Sequence, residues 1–265
     1  MRRPTPIAAC VAVSLLWLAS PIRAQDRDFC AERPGQTTPP CTLAPGNVMI
    51  ETAGAGWTVT RDAGERSDQV TIGSSLLRIG LTPRLEAQAG WTPFGIQEVR
   101  DRFSGRSSSR TGTGDVSLGL IYGLAGANGP VAIQTFVSLP TGGAAIGAGD
   151  WGAGVRLPIA FSIARLQIAL TPELDAAVNA SGNGRHLAYG GAAGIGVPVS
   201  AKVSVDADVA VFRNEDPDGP ATHETGGLSL AWQESANTQF DVGGTVGLNR
   251  ASPDLGLYVG IAHRF

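Results

Sequence analysis

From about residue 47 to the last residue, apolar side chains recur at every second position. In "GDVSLGLIYGL", Val116, Leu118, Leu120, Tyr122 and Leu124 fall on one side, and Asp115, Ser117, Gly119 and Gly123 on the other. "RLQIALTPELDAAV" sets Leu166, Ile168, Leu170, Leu174, Ala176 and Val178 against Gln167, Thr171, Glu173 and Asp175, and "KVSVDADVAVF" sets Val203, Val205, Ala207, Val209 and Val211 against Lys202, Ser204, Asp206 and Asp208. A period of two predicts β-strands with one apolar and one polar face. Twelve such runs follow one another, near 47–59, 68–80, 83–93, 113–124, 130–139, 150–161, 165–178, 186–197, 202–213, 223–233, 237–249 and 254–265. Most are about twice as long as the ordinary strand of roughly 5–6 residues. One run resists the pattern: in "QVTIGSSLLRIGL", Leu76 and Leu77 are adjacent, which a bulge near Ser75 would explain. After residue 24 no stretch is apolar for 18 residues and none repeats at helical spacing, so strands carry the fold.

The connections alternate in length. Short ones fall at 81–83, 125–129, 163–165, 198–201 and 234–237, and longer polar ones at 60–67, 94–112, 140–149, 179–185 and 214–222; 250–253 is short and fits the alternation least. Long antiparallel strands with two different ends suit an up-and-down barrel. The apolar faces are mostly Val, Leu, Ile and Ala, with Trp91, Phe94, Trp151, Phe161, Phe212, Trp232, Phe240 and Phe265 near strand ends. An inward-facing sandwich core would carry its aromatics centrally. An apolar band between aromatic girdles predicts a transmembrane barrel of about 12 strands, and closure is what satisfies every backbone group of a sheet in lipid. Glycine, 36 of 265 residues, lies largely on the polar faces, where it permits the bends of a closing sheet.

The polar faces then turn inward, because a charge facing lipid at the midplane costs roughly 2–4 kcal/mol. The predicted lumen lining is Arg84, Glu86, Asp115, Gln134, Arg156, Glu173, Asp175, Asp206, Asp208 and Asp241. The pairs Asp206/Asp208 and Glu173/Asp175 are the candidate cation-favouring groups, unless Arg84 or Arg156 neutralises them across the lumen. With an even strand number both ends of the barrel domain, 46–265, face the periplasm. The loop 94–112, with Arg100, Arg102, Arg106 and Arg110, then faces outward as a solvated segment.

The N-terminus adds a destination. Arg2 and Arg3, an apolar run from Ile7 to Ala19 and "IRA" at 22–24 predict a secretory signal peptide over 1–24; the run is too short for a transmembrane helix. Its removal takes three arginines and no acids from 20 basic and 23 acidic residues, leaving 17 and 23, a net charge of −6. No basic stripe points to nucleic acid. Cys30 and Cys41 frame "CAERPGQTTPPC" and predict a local disulfide in a periplasmic segment, 25–45. The destination is the outer membrane of a Gram-negative cell, with outer-membrane lipids, lipopolysaccharide, the barrel-assembly machinery and a small-molecule solute as partners. The chain ends on Phe265 with Ile261, Val259 and Leu257 at alternate positions before it, the pattern of an assembly signal in the closing strand; His263 stands where an aromatic is usual.

No catalytic motif stands out along the chain. "TGGAAIGAG" at 141–149 lacks the Lys-Ser/Thr of a phosphate loop and no helix follows it. The expectation is a non-enzyme with no cofactor and no metal. A Ser–His lipid hydrolase would need a base beside a nucleophile, and His186 and His223 have no accompanying motif. Asp216 and Asp218 lack the ligand spacing of a calcium loop, leaving an adhesive or structural barrel acting through its loops as the alternative.

"RPGQTTPPCTLAPGNVMIE" at 33–51, "TGTGDVSLGLIYGL" at 111–124, "VSLPTGG" at 137–143 and "LTPELDA" at 170–176 together resemble the outer-membrane transporter family labelled "meta-pathway of phenol degradation". The resemblance implies a barrel of roughly twelve strands and passive passage of small, often apolar or aromatic compounds. It brings no catalytic residues.

Overall fold

A computed structural model describes residues 27–265; the expected signal peptide, 1–24, lies outside the described residues. Fifteen strands follow in chain order: β1 (Val48–Arg61), β2 (Glu65–Gly80), β3 (Leu85–Trp91), β4 (Phe94–Asp101), β5 (Ser107–Gly112), β6 (Val116–Gly123), β7 (Ala132–Leu139), β8 (Gly152–Arg156), β9 (Ile159–Ile163), β10 (Leu166–Val178), β11 (Arg185–Pro198), β12 (Val203–Asn214), β13 (Ala221–Ser235), β14 (Thr238–Gly247) and β15 (Leu255–Arg264). They build twelve wall strands, because β3 with β4, β5 with β6, and β8 with β9 are each one strand interrupted: β3 and β4 pair with successive stretches of β2, and β8 and β9 with successive stretches of β10. Proline explains two breaks, at Pro93 and Pro158, since it removes a ladder donor.

Every strand pairing is antiparallel, and β1 pairs with both β2 and β15, so the sheet is closed. The seam runs from Met49↔Arg264 to Val59↔Leu255, and beyond it the Phe265 amide donates to the Val48 carbonyl at 2.8 Å. The last residue is therefore hydrogen-bonded to the first strand. Leu118, Leu120, Leu174, Val209, Leu228, Val242 and Val259 stand exposed on the outer face, while their neighbours Ile121, Thr171, Asp208, Ser229 and Asp241 are buried inside. Short turns and Phe265 share one end, the periplasmic one in barrels of this kind.

The alternation is interrupted in two strands. In β2, Gly73 adopts φ +71°, left-handed space that glycine enters without a Cβ penalty. Ile72 is exposed on one side of it and Arg78 is buried on the other, so the inner face changes from odd to even positions there. The irregularity expected near Ser75 thus lies at Gly73. In β1 the pairing with β15 shifts between Ala53 and Ala55, a bulge with the same effect.

The segment 94–112 differs from its prediction. It forms the hairpin β4/β5, which extends the wall outward, with Arg102 donating to the Asp62 carbonyl at 2.7 Å. Residues 103–110 are exposed. A hairpin with water on both faces needs no apolar alternation, which is why its pattern reads as a loop.

Candidate functional site

The segment 25–45, expected in the periplasm, does not trail from the barrel: its described part, from residue 27, enters the lumen. Its chain carries Pro34, Pro39 and Pro40 and forms no strand, so its amides need partners from the wall; a buried amide left unpaired costs about 1–3 kcal/mol. The wall supplies them. The two carboxylate oxygens of Glu51 accept from the amides of Glu32 and Arg33, each at 3.0 Å, and Glu86 accepts from the Leu43 amide at 2.8 Å. Thr171 accepts from the Thr38 amide at 2.9 Å and the Tyr258 hydroxyl from the Gly35 amide at 3.0 Å. Side chains of the segment reach across: Arg33 bridges Asp241 at 2.8 Å, and Gln36 donates to Asp208 and accepts from Thr225. Cys30 and Cys41 are joined by a disulfide, so the part that crosses the lumen is a covalent loop.

This plug sits on a buried charge network. Arg78, with no exposed side-chain surface, bridges Glu51 at 2.8 Å and Glu86 at 2.6 Å, and donates to the Cys30 carbonyl at 2.9 Å. Gln88 donates to both Glu86 and Glu32, and Gln134 to Gln88. One guanidinium thus serves wall and plug together. Arg78 and Glu51 are absent from the sequence-derived lining because both lie beyond the bulges that change the inner face. At Gly260 a Cβ would overlap the Arg33 guanidinium, so the missing side chain is what admits the plug there.

The structure sorts the predicted lining. Glu86, Gln134, Asp208 and Asp241 are buried on the inner face and contact the plug or its network. Arg156 bridges Glu173 at 2.9 Å and covers the Phe136 ring at 4.6 Å. Asp175, also facing inward beside Gly154, has one carboxylate oxygen buried without a hydrogen-bond partner, and Asp206 is bonded to Ser204. Arg84 is misplaced by the pattern: it lies in the exposed turn 81–84 outside the strand, where even numbering no longer decides which way a side chain points, and it neutralises no lumen acid.

Asp115 acts at the outer mouth. Its two oxygens accept from the amides of Gly142 and Ala148, both at 2.7 Å, which holds the loop 140–149 folded inward with Ile146 packed over Gly95. Two further carboxylates latch neighbouring loops: Asp150 accepts from the Gly184 amide at 3.0 Å and Asp216 from the Ala180 amide at 2.7 Å. Amide donors hold both below the usual carboxylate range, those of Gly184 and Trp151 for Asp150, and those of Asp218 and Ala180 for Asp216. His186 bonds Asn179 at 3.1 Å and lies 3.5 Å from Asp216, with no serine hydroxyl among its partners. Of the C-terminal pattern, Leu257, Val259 and Phe265 are exposed on the outer face and Ile261 is half-buried there.

One family model, described as "Putative MetA-pathway of phenol degradation", matches residues 31–265. The chain belongs to that family. The match to this phenol-degradation family runs from the segment in the lumen to the last residue of the barrel. A search of curated proteins finds no match. Among solved structures, an outer membrane channel from Pseudomonas putida F1 superimposes with a TM-score of 0.66 at 14% identity, covering 88% of this chain and 99% of that one. The β domain of the Bordetella autotransporter BrkA gives 0.55 at 12% identity, covering 82% and 98%. These likenesses are of fold: the protein has the fold of an outer-membrane β-barrel.

Proposed function

We propose that this protein is a passive channel for small solutes across the outer membrane of a Gram-negative cell, reached through a signal peptide and assembled by recognition of Leu257, Val259, Ile261 and Phe265. One observation carries the reading: the lumen is rich in polar and charged side chains, and the plug crosses it while leaving a recess of about 330 Å³ beside β1, β2, β14 and β15. Charge supports a preference for cations. Arg33, Arg78 and Arg156 are each matched by an acid, whereas Asp175, Asp206 and Asp208 have no ion pair among the described residues. Passage of apolar or aromatic compounds rests on the family's description; the lining offers such a molecule the Phe136 ring, already covered by Arg156.

The test is conductance of the purified protein in planar bilayers, followed by liposome swelling with charged, neutral and aromatic solutes. Ion current with a cation-selective reversal potential is expected. A barrel that inserts but passes neither ions nor solutes overturns the proposal and favours a structural barrel acting through its loops.

A further inference from the structure

The recess beside the plug has a chemistry of its own. Its inner wall comes from four neighbouring strands, β2, β1, β15 and β14, and its floor from Arg33, Pro34 and Gly35 of the plug. Gly56 and Gly256 open it. They face the lumen on adjacent strands, within the register Gly56↔Tyr258 and Thr58↔Gly256. Hydroxyls lean over both: a Cβ at Gly56 would lie 2.8 Å from the Thr71 Oγ1, and one at Gly256 would lie 2.6 Å from the Thr245 Oγ1 and 3.8 Å from that of Thr58. Trp57 and Leu257 border the recess by position, but Leu257 is exposed on the outer face and the Trp57 ring donates to Asp68. Of the aromatic residues that border the recess, Tyr258 is turned inward, and the Arg33 guanidinium stands over its ring at 5.3 Å.

We propose that this recess is a binding station for a neutral polyhydroxylated solute of about monosaccharide size. The proposal rests on the channel reading and names the solute class that such a channel would select. Tyr258 accepts from the Gly35 amide and Ser74 from Thr92. The hydroxyls of Thr58, Thr71 and Thr245 and the amide of Gln69 have no such partner among the described residues, and they converge on the space. Hydroxyls both donate and accept, so they match a ligand that does the same at several positions without requiring a charge. Arg33 adds no free charge, because Asp241 neutralises it. At about 330 Å³ the recess lies at the small end of the roughly 300–1,000 Å³ of small-molecule sites, which suits a ligand of monosaccharide size. An aromatic hydrocarbon would leave these groups unpaired on burial, the strongest form of discrimination a polar site has.

The test uses the full mature chain in detergent micelles, with glucose and phenol as probes and saturation-transfer NMR or calorimetry as the readout. Glucose is expected to bind in preference to phenol. The variant carrying Thr58→Val, Thr71→Val and Thr245→Val, which keeps side-chain shape and removes three hydroxyls, is expected to bind glucose at least about 10-fold more weakly. Heat-modifiable migration of that variant on gels checks that its barrel is intact, and a Thr→Ser version of the same three sites should retain binding. Phenol binding equal to or tighter than glucose overturns the proposal, as does unchanged glucose affinity in the valine variant. Bilayer conductance of the same preparation separates the two readings: binding without ion current retains the station and removes the channel, and current without binding does the reverse.

Discussion

The two halves of the lumen are held by different means. At the periplasmic end a disulfide-closed loop is seated on Arg78, Glu51 and Glu86, all fully or almost fully buried, so wall and plug share one network. At the outer end, glycine-rich loops fold inward and are latched by single carboxylates that accept from backbone amides, Asp115 and Asp150 part-exposed and Asp216 covered by its own loop. A buried network fails as a unit when one member is removed, because the remaining charges have no water to turn to. A solvated latch fails alone. The inner half is thus built to stay, and the outer half to adjust.

The largest effect should come from Arg78→Ala. It leaves Glu51 and Glu86 buried without their cation, and breaking a buried pair in this way costs about 3–5 kcal/mol. Urea unfolding in detergent should show the loss, and stability within 1 kcal/mol of the parent, as an order of magnitude for a neutral substitution, would mean that the two halves are not built differently. Deleting residues 30–41 tests the plug itself: single-channel conductance should rise several-fold, and an unchanged value would place the constriction in the outer loops instead. Asp115→Ala should cost about 1–3 kcal/mol at most, since water can replace much of what the carboxylate supplied. Its signature is kinetic, with increased current flicker and unchanged heat-modifiability.

Acidification should give the smallest effect and confine it to the outer half. Asp150 and Asp216 titrate below their unfolded values, so their contribution is fully present above the ordinary aspartate pKa of about 3.9. It is lost as the pH falls through the depressed folded values. Protease nicking in the loops 179–184 and 214–220 should therefore stay constant from neutral pH down to about 4 and increase only below it; an increase well above that would show that these carboxylates do not hold the loops. Deleting Phe265 is a separate test of assembly, expected to reduce the heat-modifiable barrel recovered from the outer membrane.

The wall was readable from the sequence because a membrane barrel sorts each strand between lipid and lumen, which writes an alternation into every run. The twelve runs correspond to the twelve wall strands. The hairpin β4/β5 escapes this reading because water meets both its faces, and Arg84 escapes it because it is the last residue of the turn before β3. Glu51 and Arg78 escape it for a third reason: bulges at Gly54 and Gly73 exchange odd for even, and neither leaves more than a glycine in the sequence. The plug is the least legible part. Residues 27–45 are polar and proline-rich like any exported tail, and their donors find carboxylates far along the chain, the Arg33 guanidinium at Asp241, 208 residues on.

Arg264 joins what the sequence separates most widely. It donates to the Arg27 carbonyl at 2.6 Å and to Asn237 at 2.8 Å, so the last strand holds the base of the plug. In terms of folding this is a contact of nearly maximal sequence separation, whose loop-closure cost must be met before it gives any return. The Arg27 and Asp28 carbonyls gain this anchor only after β15 has taken its place. A barrel arrested one strand short would lack both its seam and this anchor, which makes a fully seated plug a mark of completed assembly.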